Sequence, residues 1–170
     1  MKMETLGDLF QIELRYAYDC EEKLVKKGIP TMIENCGSSE LRQALEQHLS
    51  ETRNQVTRLQ QVFSIVGIEP KTDSNDVFDK LSSAVKDSIS HTEDGSPVRD
   101  AALIVNGNQV EHYEMAVYGS LVSFARQLGF EQAATLLQQT LEEEKQADAK
   151  LTQIGETIIN ARAAQERRAA

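Results

Sequence analysis

The stretch VEHYEMAVYGSL, residues Val110–Leu121, lies in the most apolar part of the chain. Between Asp100 and Arg126, only the acids Glu111 and Glu114 carry a formal charge. They are three positions apart, so they share one face of a helix. A carboxylate buried in such a helix is costly unless a cation pairs with it. The sequence therefore predicts that another helix or a metal ion supplies the partner charge.

Apolar residues with helical periodicity continue on both sides of this stretch and predict four long helices. The expected helices run from about residue 5 into the thirties, from 40 to 66, from 97 to 128, and from 131 to beyond 159. The triplet Gly28-Ile29-Pro30 predicts a kink in the first helix. The polar connection Gly67–Ser96 carries a short amphipathic helix, from about Asp76 to Ser90.

The lengths of the connections predict how these helices are arranged. Short joins make helices 1 and 2, and helices 3 and 4, antiparallel neighbours, whereas the long connection makes helices 2 and 3 parallel. We therefore predict an all-α fold: a ferritin-like four-helix bundle with a long crossover that carries a short fifth helix between helices 2 and 3. The bundle is expected to occupy residues 1–160, and the tail 161–170 is expected to fray.

Composition limits the classes of function. The 170 residues are enough for one domain with a full core. A net charge of −9, from 18 basic and 27 acidic residues, argues against a nucleic-acid surface. The N-terminus lacks the pattern of a signal peptide, and no run reaches the length of a membrane span. Cys20 and Cys36 lack a CxxC spacing and are expected to be free thiols. We therefore expect a cytoplasmic protein without nucleic-acid or membrane partners.

Each of the four long helices carries acids on a face that should point inward. Dinuclear carboxylate sites in helical bundles take one Glu from each of two helices and a Glu-x-x-His pair from each of the other two. The segment HLSETRNQVTRL of helix 2 aligns with TLEEEKQADAKL of helix 4, which places Glu51 opposite Glu143. Glu21 aligns with Glu114 in the same way. The alignment predicts an internal two-fold of four carboxylates.

The histidines expected three residues after Glu51 and Glu143 are absent, since Asn54 and Gln146 occupy those positions. His48, one turn before Glu51, is a candidate replacement. The full set of candidate metal ligands is Glu21, Glu51, Glu114, Glu143, His48, Glu111, Glu144 and Asp148. Carboxylate oxygens suit Fe or Mn, and open coordination positions would admit a small oxidant such as oxygen or peroxide. The candidate cofactor is therefore a dinuclear Fe or Mn centre.

Several segments resemble the YciF/YciE-like stress-response proteins of bacteria: EQHLSETRNQ, VRDAALI, QVEHYEMAVYGSL, LGFEQAATLLQQTLEEEKQAD and, more loosely, YAYDCEEKL. The resemblance covers nearly the whole chain. It implies a dimeric, ferritin-like bundle linked to stress responses, with a di-metal centre akin to those of rubrerythrin and bacterioferritin. Residue by residue, it reaches Glu21, Glu51, Glu114 and Glu143. It establishes no reaction and assigns no catalytic residue.

Two classes of function remain open. In the first, the bundle binds two Fe or Mn ions and uses them on oxygen or peroxide. In the second, the core acids are satisfied within the protein, and the bundle is a non-catalytic stress or interaction protein. In both, we expect a homodimer that buries more than roughly 1,000 Å², because Phe78, Leu81 and Val85 of the crossover helix should leave an apolar patch for a second copy.

Overall fold

A computed structural model describes residues 2–166, and no strand occurs in this range. The all-α class is therefore confirmed. The helices are α1 (Leu6–Lys23), α2 (Ile29–Asn35), α3 (Ser39–Val66), α4 (Asp76–Ser90), α5 (Pro97–Gln127), α6 (Glu131–Ile154) and α7 (Asn160–Gln165). The start of α3 and the end of α5 each differ by one residue from the bounds that the periodicity predicts. Within residues 2–166, no helix combines the length and the apolarity that crossing a membrane requires.

Local side-chain chemistry explains why these bounds were predictable. Thr5, Ser38, Asn75 and Ser96 each accept a hydrogen bond from a backbone N–H in the first turn of the helix that follows. Such caps satisfy donors that have no partner inside the helix. Gly67 ends α3 in the left-handed conformation, with φ of 77°, which glycine adopts without a steric penalty.

The predicted kink is a π-helical turn, Leu24–Gly28, which joins α1 to α2 without a break. The N–H of Ile29 donates to the carbonyl of Leu24, five residues earlier. In an uninterrupted α-helix, the ring of Pro30 would clash with the carbonyl four residues before it. The wider turn relieves this clash, so the helical path continues past the proline.

A second π-helical turn, Gly155–Ile159, joins α6 to α7. Helical structure therefore extends to Gln165, beyond the predicted bundle boundary at residue 160. Residues 167–170 lie outside the described part of the chain, so fraying of the tail 161–170 stays a prediction.

Helices α3 and α6 pack against each other in opposite directions. Gln55 donates to Glu143, whereas Arg58, further along α3, donates to Thr140, which lies earlier in α6. Helices α1 and α5 also pack against each other, and α1 contacts α3. The four long helices α1, α3, α5 and α6 thus pack around one interior.

Helices α5 and α6 are antiparallel as well. Asn108 donates to Thr152, whereas His112, one turn further along α5, lies 3.7 Å from Asp148, one turn earlier in α6. Because both α3 and α5 oppose α6, they run in the same direction. The connection that contains α4 links these two parallel helices.

The interior contains two apolar clusters. One includes Phe10, Leu14, Ala17, Leu59, Phe63, Tyr118, Leu121, Leu137 and Leu141. The other includes Leu24, Ile29, Met32, Leu41, Leu45, Phe78, Leu103, Val110, Leu151 and Ile154. On α3, α5 and α6, a segment with a histidine or buried acids separates residues of one cluster from residues of the other. On α1, the buried Glu21 lies next to Cys20, where the second cluster begins. A polar layer therefore lies between two apolar halves.

The crossover helix α4 buries its apolar face within the protomer. Phe78 and Val85 are buried in the second cluster, and Leu81 packs against it. These residues therefore do not form the free patch from which the sequence predicted a dimer, because α4 needs them to dock on the bundle. The exposed large apolar side chains include Val77, Val98 and Val105.

Candidate metal centre

Five side chains from all four long helices converge in the polar layer: Glu21 of α1, His48 of α3, Glu111 and Glu114 of α5, and Glu144 of α6. They form two groups of three, His48–Glu111–Glu144 and Glu21–Glu114–Glu144, whose ligand atoms lie within 4.8 Å of one another. The four carboxylates are buried, and the side chain of His48 is 11% exposed. Glu144 belongs to both groups, as expected of a residue between two ions.

Helices α3 and α6 each carry one half of the Glu-x-x-His pattern. In α3, His48 is present, but Leu45 occupies the glutamate position three residues earlier. In α6, Glu144 is present, but Ala147 occupies the histidine position. In the structure, the residues of this pattern that reach the centre are therefore His48 and Glu144. The sequence alignment had instead measured the three-residue spacing from Glu51 and Glu143.

The structure does not bring Glu143 into the centre, which corrects its predicted place in the internal two-fold. Its carboxylate accepts two hydrogen bonds from the guanidinium of Arg58, at 2.8 and 2.9 Å, and one from Gln55 at 3.0 Å. Successive residues of an α-helix point about 100° apart. Glu144 therefore points to the interior when Glu143 points to the outer edge between α3 and α6.

Glu51 and Asp148 also lie outside the two groups. Glu51 is 34% exposed, accepts from Gln47 at 2.9 Å and lies 3.9 Å from Nδ1 of His48, so it borders the centre on the solvent side. Asp148 accepts from Asn108 at 2.7 Å on the outer side of α5 and α6. Both acids thus have polar partners outside the two groups.

Many polar atoms of the centre have no hydrogen-bond partner among the described residues. They are Oε2 of Glu21, Glu111 and Glu114, both carboxylate oxygens of Glu144, and Nδ1 of His48. His48 Nε2 lies 3.2 Å from Oε1 of Glu111. Folded proteins rarely leave buried polar groups unsatisfied. Four carboxylates with one imidazole form a donor set that suits Fe or Mn, so the residues present fit a dinuclear centre of these metals.

The electrostatics of the centre favour protons when no metal is bound. Burial raises the pKa of Glu21 from 4.5 to about 7, although the hydrogen bond from Tyr118 opposes the shift. Burial and the charge of Glu21 raise the pKa values of Glu114 and Glu144 well above the ordinary value. Burial alone would lower the pKa of His48, but the adjacent Glu111 carboxylate outweighs it and raises that pKa. Metal binding would therefore release protons.

Two further side chains, Tyr118 and Cys20, contact the centre, although neither is among the predicted metal ligands. The hydroxyl of Tyr118 donates a short hydrogen bond to Oε1 of Glu21, and the thiol of Cys20 donates to Oε1 of Glu114 at 3.6 Å. Both are buried and hold the carboxylates of one group in place. Tyr118 lies one turn after Glu114, a spacing that could have indicated it.

Solvent approaches the other group through a pocket of about 260 Å³ whose lining is polar and apolar in similar measure, which we call the polar pocket. Its walls include His48 and Glu111 at the inner end, and Gln47, Glu51, Gln146 and Lys150. Ala147 also lines it. A histidine at that position would fill part of the space that the smaller alanine leaves open.

Comparison with known proteins places this geometry in context. The family described as "Domain of unknown function (DUF892)" matches residues 5–164. Protein YciF of Escherichia coli (strain K12) is 38% identical over 164 residues, which cover 96% of this chain and 98% of that protein.

Solved structures show the same likeness. The E. coli stress protein YciF superposes with a TM-score of 0.87 at 37% identity, covering 93% of this chain and 99% of that chain. YcfI from Rhodopseudomonas palustris gives 0.85 at 36% identity, covering 89% and 95%. A protein from Xanthomonas campestris pv. campestris gives 0.75 at 22% identity, covering 95% and 98%, and shows a shared fold alone.

Proposed function

The chain belongs to the DUF892 family, and we propose that it is a stress-associated, ferritin-like protein that holds a dinuclear Fe or Mn centre and acts on oxygen or peroxide. The stress association rests on similarity to YciF, which is described as a stress protein. The ferritin-like arrangement rests on the packing of α1, α3, α5 and α6, with α4 in the connection between the parallel helices α3 and α5.

The observation that carries this proposal is the pair of buried groups that share Glu144. Glu21 and Glu114 would hold one ion, His48 and Glu111 the other, and Glu144 would lie between them. Bound Fe or Mn would supply electron transfer and Lewis-acid chemistry toward the oxidant. The chain itself orients the carboxylates through Tyr118 and Cys20 and admits solvent through the polar pocket.

A second candidate, a non-catalytic bundle, is favoured by the raised pKa values of Glu21, Glu114 and Glu144. Protonated carboxyl groups can donate hydrogen bonds to one another and so satisfy the interior without metal. The two candidates therefore differ in what neutralises the same buried acids, protons or metal ions.

Metal analysis separates the two candidates. The protein is purified without chelator, and Fe and Mn are measured before and after reconstitution with both ions. We expect two ions per chain, about 3.5–4 Å apart by anomalous scattering at the Fe and Mn edges. A metal-free centre after reconstitution, with its acids hydrogen-bonded to one another, would support the non-catalytic bundle.

We also propose that the protein is a cytoplasmic homodimer. Both cysteines are free, as is usual for thiols in a reducing compartment. Val98 and Val105 lie seven residues apart, about two turns, and are exposed on α5, where a second copy could cover them. We expect light scattering to give twice the chain mass of 19.0 kDa. A monomeric mass would contradict the dimer.

A further inference from the structure

A second pocket also reaches His48 and Glu111, but its walls are mainly apolar. The apolar side chains include Leu24, Ile29, Met32, Phe78, Val85 and Val110. The free volume inside is about 40 Å³. The centre is thus bordered by two pockets of different character, one mainly apolar and one lined by polar and apolar groups in similar measure.

The apolar pocket is lined both by residues at the protein surface and by residues of the candidate centre. The exposed residues Lys27 and Lys86 border it on the outside, and the buried Glu111 lines its inner part. The π-helical turn Leu24–Gly28 contributes to the wall between them. The opposite wall includes Gly107, where an added Cβ would lie 2.7 Å from a methyl group of Leu151. A side chain there would intrude on the space.

The size and chemistry of this pocket select its occupant. A water molecule needs roughly 10–15 Å³ by this measure, so the pocket has room for a molecule of very few heavy atoms. Its apolar walls offer water few hydrogen-bond partners, and apolar cavities of this kind bind small apolar molecules and xenon. Dioxygen is small, uncharged and apolar. Hydrogen peroxide, which donates and accepts hydrogen bonds, suits the polar pocket instead.

We propose that the apolar pocket binds dioxygen and leads it to the His48–Glu111 side of the centre. This assignment rests on the proposed function, and it names dioxygen as the oxidant that uses this route. The two pockets share Leu45, His48, Glu111 and Leu151, so the routes for an apolar and a polar molecule end at the same ligands.

Xenon tests the pocket without any metal. Crystals of the metal-free protein are pressurised with xenon, and its anomalous signal is located. We expect a xenon site among Leu24, Val85 and Val110. Absence of xenon from this pocket, in crystals where xenon occupies other cavities, would overturn the assignment.

Two variants on α4 give a matched comparison. Ser82 is half-buried and lines the pocket, whereas the next residue, Ser83, is exposed and does not. Ser82→Phe should fill the outer part of the pocket and abolish the xenon site. Ser83→Phe adds the same ring to the same helix and should leave xenon in place. Loss of xenon in both variants would overturn the assignment, because the effect would not depend on the pocket.

Single-turnover kinetics then test the route. Protein loaded with ferrous iron, which supplies the electrons, is mixed with dissolved oxygen or with hydrogen peroxide. Ser82→Phe should slow oxygen consumption several-fold and leave the peroxide reaction unchanged, and Ser83→Phe should change neither. Equal slowing of both reactions by Ser82→Phe would overturn the oxygen route. Failure of the wild type to bind Fe or Mn would overturn the proposed function, whereas missing xenon in protein that binds two ions would overturn only the pocket assignment.

Discussion

Glu143 and Glu144 are consecutive residues of α6, yet they belong to two regions with opposite electrostatics. Glu143 lies at the edge between α3 and α6, where its side chain is 29% exposed and Arg58 pairs with both of its oxygens. Glu144 lies in the interior, and neither of its oxygens has a hydrogen-bond partner among the described residues. The same functional group thus finds hydrogen-bond partners within the protein at the edge and lacks them in the interior.

This contrast shows how to distinguish a structural acid from a candidate ligand. At the edge, the chain supplies a guanidinium in bidentate geometry, which leaves no need for a metal. In the interior, the one histidine faces four carboxylates, so protons or metal ions must supply the remaining positive charge. Substitutions at the two regions should therefore have different consequences for metal binding and stability.

The largest difference should appear in metal binding. Glu144→Gln removes the carboxylate common to both groups, so we expect affinity for both ions to fall by at least about 100-fold. Glu143→Gln removes the same charge one residue away and should bind two ions like the wild type. Calorimetric titration with Fe(II) or Mn(II) measures this. Equal loss of affinity in the two variants would show that net charge, rather than position, controls binding.

The interior acids should make the metal-free protein less stable as pH rises. The folded state keeps a proton on Glu21 up to a pKa of about 7, whereas the unfolded chain releases it near 4.5. The stability is therefore fully present at low pH and is lost as pH rises through about 5 to 7, by on the order of 3 kcal/mol for this one group. The raised pKa of His48 adds a change of the same sign.

Urea unfolding across this pH range, in the presence of chelator, checks that expectation. Glu21→Gln should flatten the dependence, because the amide does not titrate. Glu143→Gln should retain the wild-type dependence. A free energy of unfolding that rises steadily from pH 5 to pH 7 would contradict the burial of protonated acids in the centre.

The effect of Glu114→Leu on the free energy of unfolding should change sign when metal is bound. Without metal, it removes a buried carboxyl group and fills similar space, so it should be neutral or stabilising, in the lower half of the roughly 1–4 kcal/mol range because Cys20 loses its acceptor. With metal, the wild type should gain about 2.7 kcal/mol at a hundredfold excess of ion over Kd, and the variant should lose most of that gain. Thermal unfolding with chelator and with Fe or Mn would reveal the crossing. Equal destabilisation in both conditions would make Glu114 part of a structural network.

The smallest effect should come from the edge. The Arg58–Glu143 pair is partly exposed, so a double-mutant cycle with Arg58→Met and Glu143→Gln should give a coupling of about 0.5–1 kcal/mol. This coupling should weaken at high salt and be insensitive to chelator. A coupling that depends on Fe or Mn would place the pair in communication with the centre.

The sequence predicted the bounds of the helices far better than it predicted which of their residues face the interior. Caps such as Ser38 and Ser96, and the stop at Gly67, are satisfied by atoms within a few residues, so the sequence contains the relevant information. The apolar face of α4 was recognised correctly, but whether it would cover its own bundle or a second copy depends on contacts far along the chain.

Within the site, the sequence alone predicted that acids on the inward faces of the long helices need a partner charge, and it identified Glu21, Glu111, Glu114 and Glu144 among the candidates. It could not decide between Glu143 and Glu144. The choice depends on the rotation of α6 about its axis, which packing against α3 and α5 fixes. Only the tertiary structure places Arg58 beside one carboxylate and leaves the next one in the interior, because residues more than eighty positions apart meet there.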